Sequence, residues 1–365
     1  MNLHETLQYL TGLQGGSGFE DQVIAVMSER MQSLGAQVHV DAMGNVIVRV
    51  GAQQGERRVM VCAHTDEISL IVKYVDEHGF VYFDANGTIS AAALPATQVD
   101  VLTATGSIPG VIVARSSHLL NMGATGVETR LEDLWIEVGA RSAAEVRELG
   151  VQVGDCIVFR PNFRELGNGY IASKSIDDRA GCAILLQLAE ALRDRRLDYE
   201  LYLVACVQEE VGSRGAGVAA RTLQPHLALV VDGVSAREPG MPANRAPVVL
   251  GGGPVLRSAD LLHGFLGTLY SPRLRRRLAA TAERLGMPYQ FDVARTWTDA
   301  STIHTIAEGV PTAGLFIPRR GSHSPVEVAC VADIENAFRL VQAFLINLTC
   351  DSIDELRAQP TVRRE

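Results

Sequence analysis

Two adjacent carboxylates, Asp177 and Asp178, stand just before an apolar segment at residues 180–192. The apolar spacing of that segment predicts a helix, and an irregular Gly/Asn stretch at 166–169 precedes the pair. Acidic residues at the start of a helix are commonly caps, so the pair alone favours capping by about two to one. The alternative is a metal site, because one carboxylate can bridge two cations when other ligands converge on it.

Four further acidic or histidine clusters follow short apolar runs that we interpret as strands. They are His64 with Asp66, Glu209 with Glu210, Asp232, and His323. Each alone has an ordinary explanation, such as a surface histidine, a helix start or a turn. At the carboxyl ends of strands in one α/β sheet, however, they would meet Asp177 at the edge where ligands bind.

Several carboxylates in one cleft repel each other unless cations lie among them. Two histidines with three or more carboxylates, and no cysteine, suit zinc or cobalt rather than a calcium cage. Alternation along an extended chain places Asp66 on the same face as His64, so its carboxylate could hold the imidazole. The pattern therefore predicts a metal centre.

The surrounding elements predict an α/β fold that is interrupted by a β-rich insertion. Short Val/Ile-rich runs separated by turn residues dominate 69–163 and indicate a small β-barrel. Elsewhere strands and helices alternate. Finer expectations are a strand at 227–231 that ends in Asp232 and Gly233, a loop at 123–130, a long loop around a short strand at 239–254, a helix at 301–308, a helix capped by Ser271, and fraying of the last dozen residues.

Composition excludes several functional classes. The chain has 365 residues and a net charge of −9, so no basic surface indicates nucleic-acid binding. Neither a signal peptide nor a membrane-spanning run is visible, which predicts a cytoplasmic protein with no membrane contact. The six cysteines are scattered without paired spacing, so we expect buried, reduced thiols rather than a cysteine zinc site.

The whole set of motifs resembles the tetrahedral aminopeptidases, dinuclear-metal exopeptidases that include proteins formerly labelled endoglucanases. The resemblance covers nearly the whole chain, and the set is far more specific than any single motif. It is carried by residues 63–67, 166–169, 176–179, 207–212, 228–232, 298–300 and 323–327.

The resemblance implies two divalent metal ions per subunit, zinc first, with cobalt or manganese as alternatives. Asp177 would bridge them, with a cis peptide bond to Asp178. Glu209 would be the general base, and Asp66 would orient His64. The remaining implied ligands are His64 and Asp232 for one metal, and Glu210 and His323 for the other.

The resemblance also implies a domain division and an assembly. Residues 1–68 and 164–365 would form a zinc-exopeptidase catalytic domain with a mixed sheet and helices on both faces. Residues 69–163 would form the inserted barrel that mediates dimerisation. Peptides with a free N-terminus would be the substrates. The protein would self-associate into dimers, and the sequence does not decide whether dimers assemble further into a tetrahedral dodecamer.

Some features depart from the family pattern. Residues 86–90 and 94–95 replace a Gly-Gly-Trp-like motif, and 294–297 replaces a glycine-rich approach to the Thr-Asp-Ala motif. Arg295 and Trp297 could alter side-chain preference or merely pack. The role of Asp178 is equally open between capping and support of its neighbours.

Other functions compete with the aminopeptidase hypothesis. A related dinuclear deacylase or carboxypeptidase would use the same ligands. A glycanase needs only two carboxylates, so the histidines argue against it. A non-enzymatic assembly would require a missing ligand or base, and the sequence retains them all.

Overall fold

The computed structural model describes residues 2–53, 55–116, 129–262 and 267–357. Within these ranges the helices are α1 (Leu3–Thr11), α2 (Asp21–Ser33), α3 (Ala143–Glu148), α4 (Ile176–Leu192), α5 (Arg214–Leu223), α6 (Pro272–Arg284), α7 (Ala300–Ile303), α8 (Val331–Ile346) and α9 (Cys350–Arg357). The strands are β1 (Gln37–Val40), β2 (Val46–Val50), β3 (Ala52–Gln53), β4 (Arg58–His64), β5 (Ser69–Val75), β6 (Val81–Asn86), β7 (Gln98–Thr103), β8 (Gly106–Ala114), β9 (Leu134–Glu137), β10 (Cys156–Phe159), β11 (Arg164–Glu165), β12 (Tyr170–Ser173), β13 (Arg196–Leu197), β14 (Glu200–Cys206), β15 (Leu227–Ser235), β16 (Val255–Asp260), β17 (Thr268–Leu269), β18 (Gln290–Ala294), β19 (Thr312–Arg320) and β20 (Glu327–Cys330).

A large mixed sheet forms the centre of the fold. Its main path runs β1-β2-β14-β4-β15-β19-β20-β12-β11, and β16, β17 and β18 join beside β19. The central strands β14, β4, β15 and β19 are parallel. Along β4, Val59 and Val61 belong to one core cluster and Met60 and Cys62 to the other. Because these strands are buried on both faces, their sequences are continuous apolar runs.

Helices cover both faces of this sheet. Helices α1, α2, α4, α6 and α8 pack on one face, and α5 and α7 pack on the other. Helix α4 lies very close to β4 because Gly181 faces the strand. A Cβ at this position would stand 2.7 Å from the Cβ of Ala63. Helix α6 starts as predicted, since Ser271 Oγ accepts a hydrogen bond from the backbone N–H of Leu274.

The β-rich insertion forms a closed antiparallel barrel with the strand order β10-β5-β6-β9-β8-β7. It has its own core, which includes Leu70, Val101 and Ile157. The chain enters it after β4 and leaves it before β11. The fold-class prediction, a mixed α/β sheet with an inserted β-barrel, is therefore confirmed. The domain boundaries at 68/69 and 163/164 stay a prediction.

Several local expectations were wrong. The strand expected at 227–231 is longer, because β15 keeps pairing with β19 as far as Ser235 opposite Arg319. Residues 239–254 contain no strand, and α7 ends at Ile303 rather than 308. Of the loop expected at 123–130, residues 123–128 lie outside the described residues.

The C-terminal region is also more ordered than expected. Helix α9 runs to Arg357, so residues 354–357 are helical, and 358–365 lie outside the described residues. Two contacts explain the order. Thr349 and Ser352 cap the helix reciprocally, and Arg57 donates to both carboxylate oxygens of Asp354, at 2.6 and 2.9 Å.

The two lysines of the chain allow a direct test of buried against exposed charge. Lys174 is fully buried, and its Nζ donates to Leu13 O at 2.8 Å and to both carboxylate oxygens of Glu67, at 2.8 and 2.7 Å. We expect Lys174→Met to lower the free energy of unfolding by about 3 kcal/mol. It removes the nearer of two buried cations beside Glu67 and leaves only Arg179, whose Nη2 lies 3.7 Å from Glu67 Oε1. Urea unfolding at fixed protein concentration measures this change.

Lys73 is the matched control. It pairs with Asp84 at 2.9 Å, but both side chains are exposed, so Lys73→Met should leave the unfolding midpoint unchanged. If Lys174→Met also left the unfolding midpoint unchanged, the buried pair would not stabilise the fold.

Candidate metal centre

The predicted site residues meet at the carboxyl edge of the central parallel strands. His64 is the last residue of β4, and Asp232 lies within β15. The last pair that joins these strands is Val230 with Cys62, so both site residues stand two positions beyond it. The others come from three neighbouring segments: Asp177 at the start of α4, Glu209 and Glu210 after β14, and His323 after β19.

One group of ligand atoms comprises His64, Asp177 and Asp232. The Nε2 atom of His64 lies 3.4 Å from Asp177 Oδ1 and 3.8 Å from Asp232 Oδ1. All three side chains are buried. Ligand atoms from the three residues lie within 4.8 Å of one another, close enough to bind a single ion.

A second group comprises Asp177, Glu210 and His323. The Nε2 atom of His323 lies 3.5 Å from Asp177 Oδ2 and 3.5 Å from Glu210 Oε2. Asp177 thus presents one carboxylate oxygen to each group. This is the arrangement expected of a carboxylate that bridges two ions.

The chemistry of the donors fits divalent cations. Asp177 Oδ1 is buried and has no hydrogen-bond partner among the described residues. Burial raises the pKa of Asp232 well above its usual range; His64 opposes this shift and Glu209 adds to it. Burial likewise raises the pKa of Glu210, against the effect of His323. Bound cations would offset the cost of burying these carboxylates together.

Asp66 fixes the backbone and the imidazole around the first group. Its carboxylate accepts hydrogen bonds from Ser17 Oγ at 2.6 Å and from the backbone N–H groups of Glu209 at 2.9 Å and Glu210 at 3.0 Å. His64 Nδ1 lies 3.0 Å from the Asp66 backbone oxygen and 3.5 Å from its carboxylate. These contacts direct Nε2 of His64 toward the ligand group.

The neighbouring carboxylates also shift the pKa of the imidazole. Burial lowers the pKa of His64, but the hydrogen bond and negative charge of Asp66, together with the charges of Glu209 and Asp232, outweigh burial. The pKa therefore lies well above its ordinary value.

Glu209 lines the cleft beside the ligands but belongs to neither group. It is buried, and Ser213 Oγ donates to its Oε1 at 3.2 Å. Burial raises the pKa of Glu209 well above its usual range; His64 opposes this shift and Glu210 adds to it. A raised pKa is the property expected of a carboxylate that exchanges protons near neutral pH.

Asp178 does more than cap a helix. Its peptide bond to Asp177 is cis, as the family resemblance implied. Oδ1 accepts from the backbone N–H of Gly181 at 2.9 Å, which is a helix cap, and Oδ2 accepts from the backbone N–H of His64 at 3.3 Å. Burial raises the pKa of Asp178 to about 8, with His64 opposing the shift. Asp178 thus ties α4 to the end of β4.

The ligands open into a cleft of about 870 Å³. Arg295 and Trp297, whose roles the sequence did not decide, both line the cleft. Arg295 is exposed, and the indole N–H of Trp297 is buried without a hydrogen-bond partner among the described residues. Buried apolar residues, including Val234 and Val248, form another part of the wall.

Two residues at the centre were missed in the sequence. Arg319, from β19, contacts Asp177 Oδ2. Glu327 belongs to the motif at 323–327, but the sequence alone indicates no role for it. Its Oε2 accepts from the backbone N–H of Asp177 at 2.9 Å. Arg319 lies within β19 and Glu327 is the first residue of β20, so neither follows the end of a strand. Their common partner could not be read from spacing.

Comparison with known proteins identifies the family. The family model for M42 glutamyl aminopeptidase matches residues 44–340. The chain belongs to this family. A lysyl aminopeptidase of Pyrococcus furiosus is 31% identical over 94% of this chain and 97% of that protein. The resemblance read from the sequence is confirmed, and this M42 protein is an aminopeptidase.

Solved structures of other peptidases share the fold. An aminopeptidase from the archaeon Desulfurococcus kamchatkensis superposes with a TM-score of 0.92 at 34% identity, covering 98% of each chain. The TET1 peptidase of Pyrococcus horikoshii, which can assemble into a tetrahedron or a large octahedral shell, gives 0.84 at 31% identity over 95% of this chain and 100% of that chain. In the described part of this M42 chain, no helix has the length and apolar character needed to cross a membrane.

Proposed function

We propose that this aminopeptidase is a dinuclear metalloenzyme that removes N-terminal residues from peptides. The observation that carries the proposal is the position of Asp177, whose two oxygens face two separate ligand groups. His64 and Asp232 would complete one metal position, and Glu210 and His323 the other. Zinc suits these donors best, and cobalt or manganese would also be accepted.

The bound ions would supply Lewis acidity toward the scissile carbonyl and lower the pKa of the attacking water. The chain supplies the proton transfers. Glu209, with a raised pKa and no place in either ligand group, would accept the proton of the attacking water and then donate it to the leaving amine. Asp66 would keep His64 and the backbone of Glu209 in place during both steps.

The same cleft explains a preference for the amino end. Carboxylates dominate its ligand-bearing end, and a free ammonium or amine group offers them charge and N–H donors. An acyl cap removes the charge and adds bulk at that end. Cleavage one residue at a time from the N-terminus follows from this arrangement.

Assembly and location are part of the proposal. We propose that the barrel within 69–163 mediates dimerisation, and that dimers associate into a tetrahedral dodecamer. The TET1 peptidase of Pyrococcus horikoshii, which can assemble into a tetrahedron, supports this proposal. We further propose a cytoplasmic enzyme acting on peptides, without nucleic-acid or membrane partners.

The activity is tested with one peptide in two forms. We expect hydrolysis of the free peptide to exceed that of its N-acetylated form by more than about a hundredfold, because acetylation removes a charged hydrogen-bonding group. Chelation should abolish activity, and single-metal add-back should restore it. Faster hydrolysis of the acetylated form would identify a deacylase or another hydrolase instead.

A further inference from the structure

Arg319 places a buried cation against the carboxylate shared by the two proposed metal positions. It lies near the end of β19 and is 3% exposed. Its Nη2 contacts Asp177 Oδ2, its Nη1 donates to Ser322 Oγ, and its Nε lies 3.2 Å from Glu327 Oε1. The guanidinium thus links Ser322 and Glu327 to Asp177.

The contact involves only one oxygen of Asp177. Oδ2 meets both Arg319 and the second ligand group, where His323 Nε2 lies 3.5 Å away. Oδ1 faces His64 at 3.4 Å and has no hydrogen-bond partner among the described residues. A cation at the second position must therefore share its oxygen with a guanidinium, and a cation at the first position need not.

The fold leaves space for this contact. Strand β15 runs beside β19, with Ser235 opposite Arg319, which brings Gly233 against the arginine side chain. A Cβ at Gly233 would stand 2.5 Å from Arg319 Nε and 2.9 Å from Asp177 Oδ1. Because any larger residue would displace one of them, the glycine permits the approach of the guanidinium to Asp177.

The histidines of the two groups also differ in their surroundings. His64 is 2% exposed and is held by Asp66. His323 is 31% exposed and lies on a loop in the left-handed backbone region, with φ of 55°. Burial and a fixed ring favour binding at the first position, whereas the second position meets solvent.

We propose that Arg319 is a positioning residue that acts as a built-in competing cation and weakens metal binding at Asp177, Glu210 and His323 relative to His64, Asp177 and Asp232. The inference rests on the proposed dinuclear function. Arginine stays protonated in proteins at neutral pH, so the guanidinium competes with a metal ion for this oxygen under ordinary assay conditions. The two ions would therefore bind in order, the first tightly and the second weakly.

Metal titration of the metal-free protein tests the proposal. Zn²⁺ binding is followed by calorimetry, and Co²⁺ binding by its visible absorption, which reports ligand geometry independently of turnover. We expect two unequal dissociation constants in the wild type. Arg319→Met should tighten the second by about tenfold or more and leave the first within about threefold, because it removes a charge-assisted contact to Oδ2.

Two further variants separate charge from structure. Arg319→Lys keeps the charge and should retain the weak second constant. Arg320→Met is the matched control, since Arg320 is the next residue on β19 and its Nε donates to Arg237 O at 2.9 Å. It should change neither constant. If Arg319→Met does not fold, the comparison of Arg319→Lys with the wild type still applies, and a tightened second constant there would refute the proposal.

The outcomes distinguish the two proposals. A wild type that never binds a second ion at saturation would refute the dinuclear function. A wild type with two ions, combined with an unchanged or weakened second constant in Arg319→Met, would refute the competing role of Arg319 alone.

Discussion

Replacement of Glu209 by glutamine is expected to lower kcat by about a thousandfold while both metal ions remain bound. The substitution preserves size and the oxygen that accepts from Ser213, at 3.2 Å in the wild type. It removes only the capacity to take a proton from the attacking water. Because Glu209 is outside both ligand groups, KM for a free peptide and the metal content by mass spectrometry should stay near wild-type values.

Glu210→Gln is the matched control for that variant, since the two glutamates are adjacent. Glu210 Oε2 lies 3.5 Å from His323 Nε2, so this change weakens a ligand group rather than removing the base. We expect loss of the second ion, with activity partly recovered at high metal concentration. Full activity in Glu209→Gln would show that another group accepts the proton.

The site residues could be selected from the sequence because strand ends carry a strong signal. Parallel strands buried on both faces appear as apolar runs, and the polar residues that follow them must meet at one sheet edge. His64, Glu210 and His323 follow this rule directly. Asp232 was expected just after a strand that ended at residue 231, but it lies within β15, which continues to Ser235.

Other features depend on which strands are neighbours, and spacing does not report this. Arg319 reaches Asp177 because β19 lies beside β15 and Gly233 leaves room. Ser17 donates to Asp66 because the loop after α1 folds back to the site. The strands β16 and β20 were not predicted at all. Strand β20 is held by only two residue pairs to the preceding β19 and otherwise by the distant β12. Strand β16 pairs with the short β17 and with the more distant β18 and β19.

Asp177→Asn should release both ions, because Asp177 is the residue common to the two ligand groups. Each group would keep only two strong ligands, and we expect the affinity for both ions to fall by more than about a hundredfold, since even indirect changes around a metal cost up to that amount. Metal content after dialysis against buffer of fixed free Zn²⁺ measures the loss. Activity should fall with it.

Asp232→Asn provides the contrast that makes the test specific to a bridge. Asp232 lies 3.8 Å from His64 Nε2 and belongs to the first group alone, so its amide variant should lose one ion and keep the other. If Asp177→Asn also kept one ion at wild-type affinity, Asp177 would serve a single position. The orientation of its two oxygens toward His64 and His323 would then have no role in joining the metals.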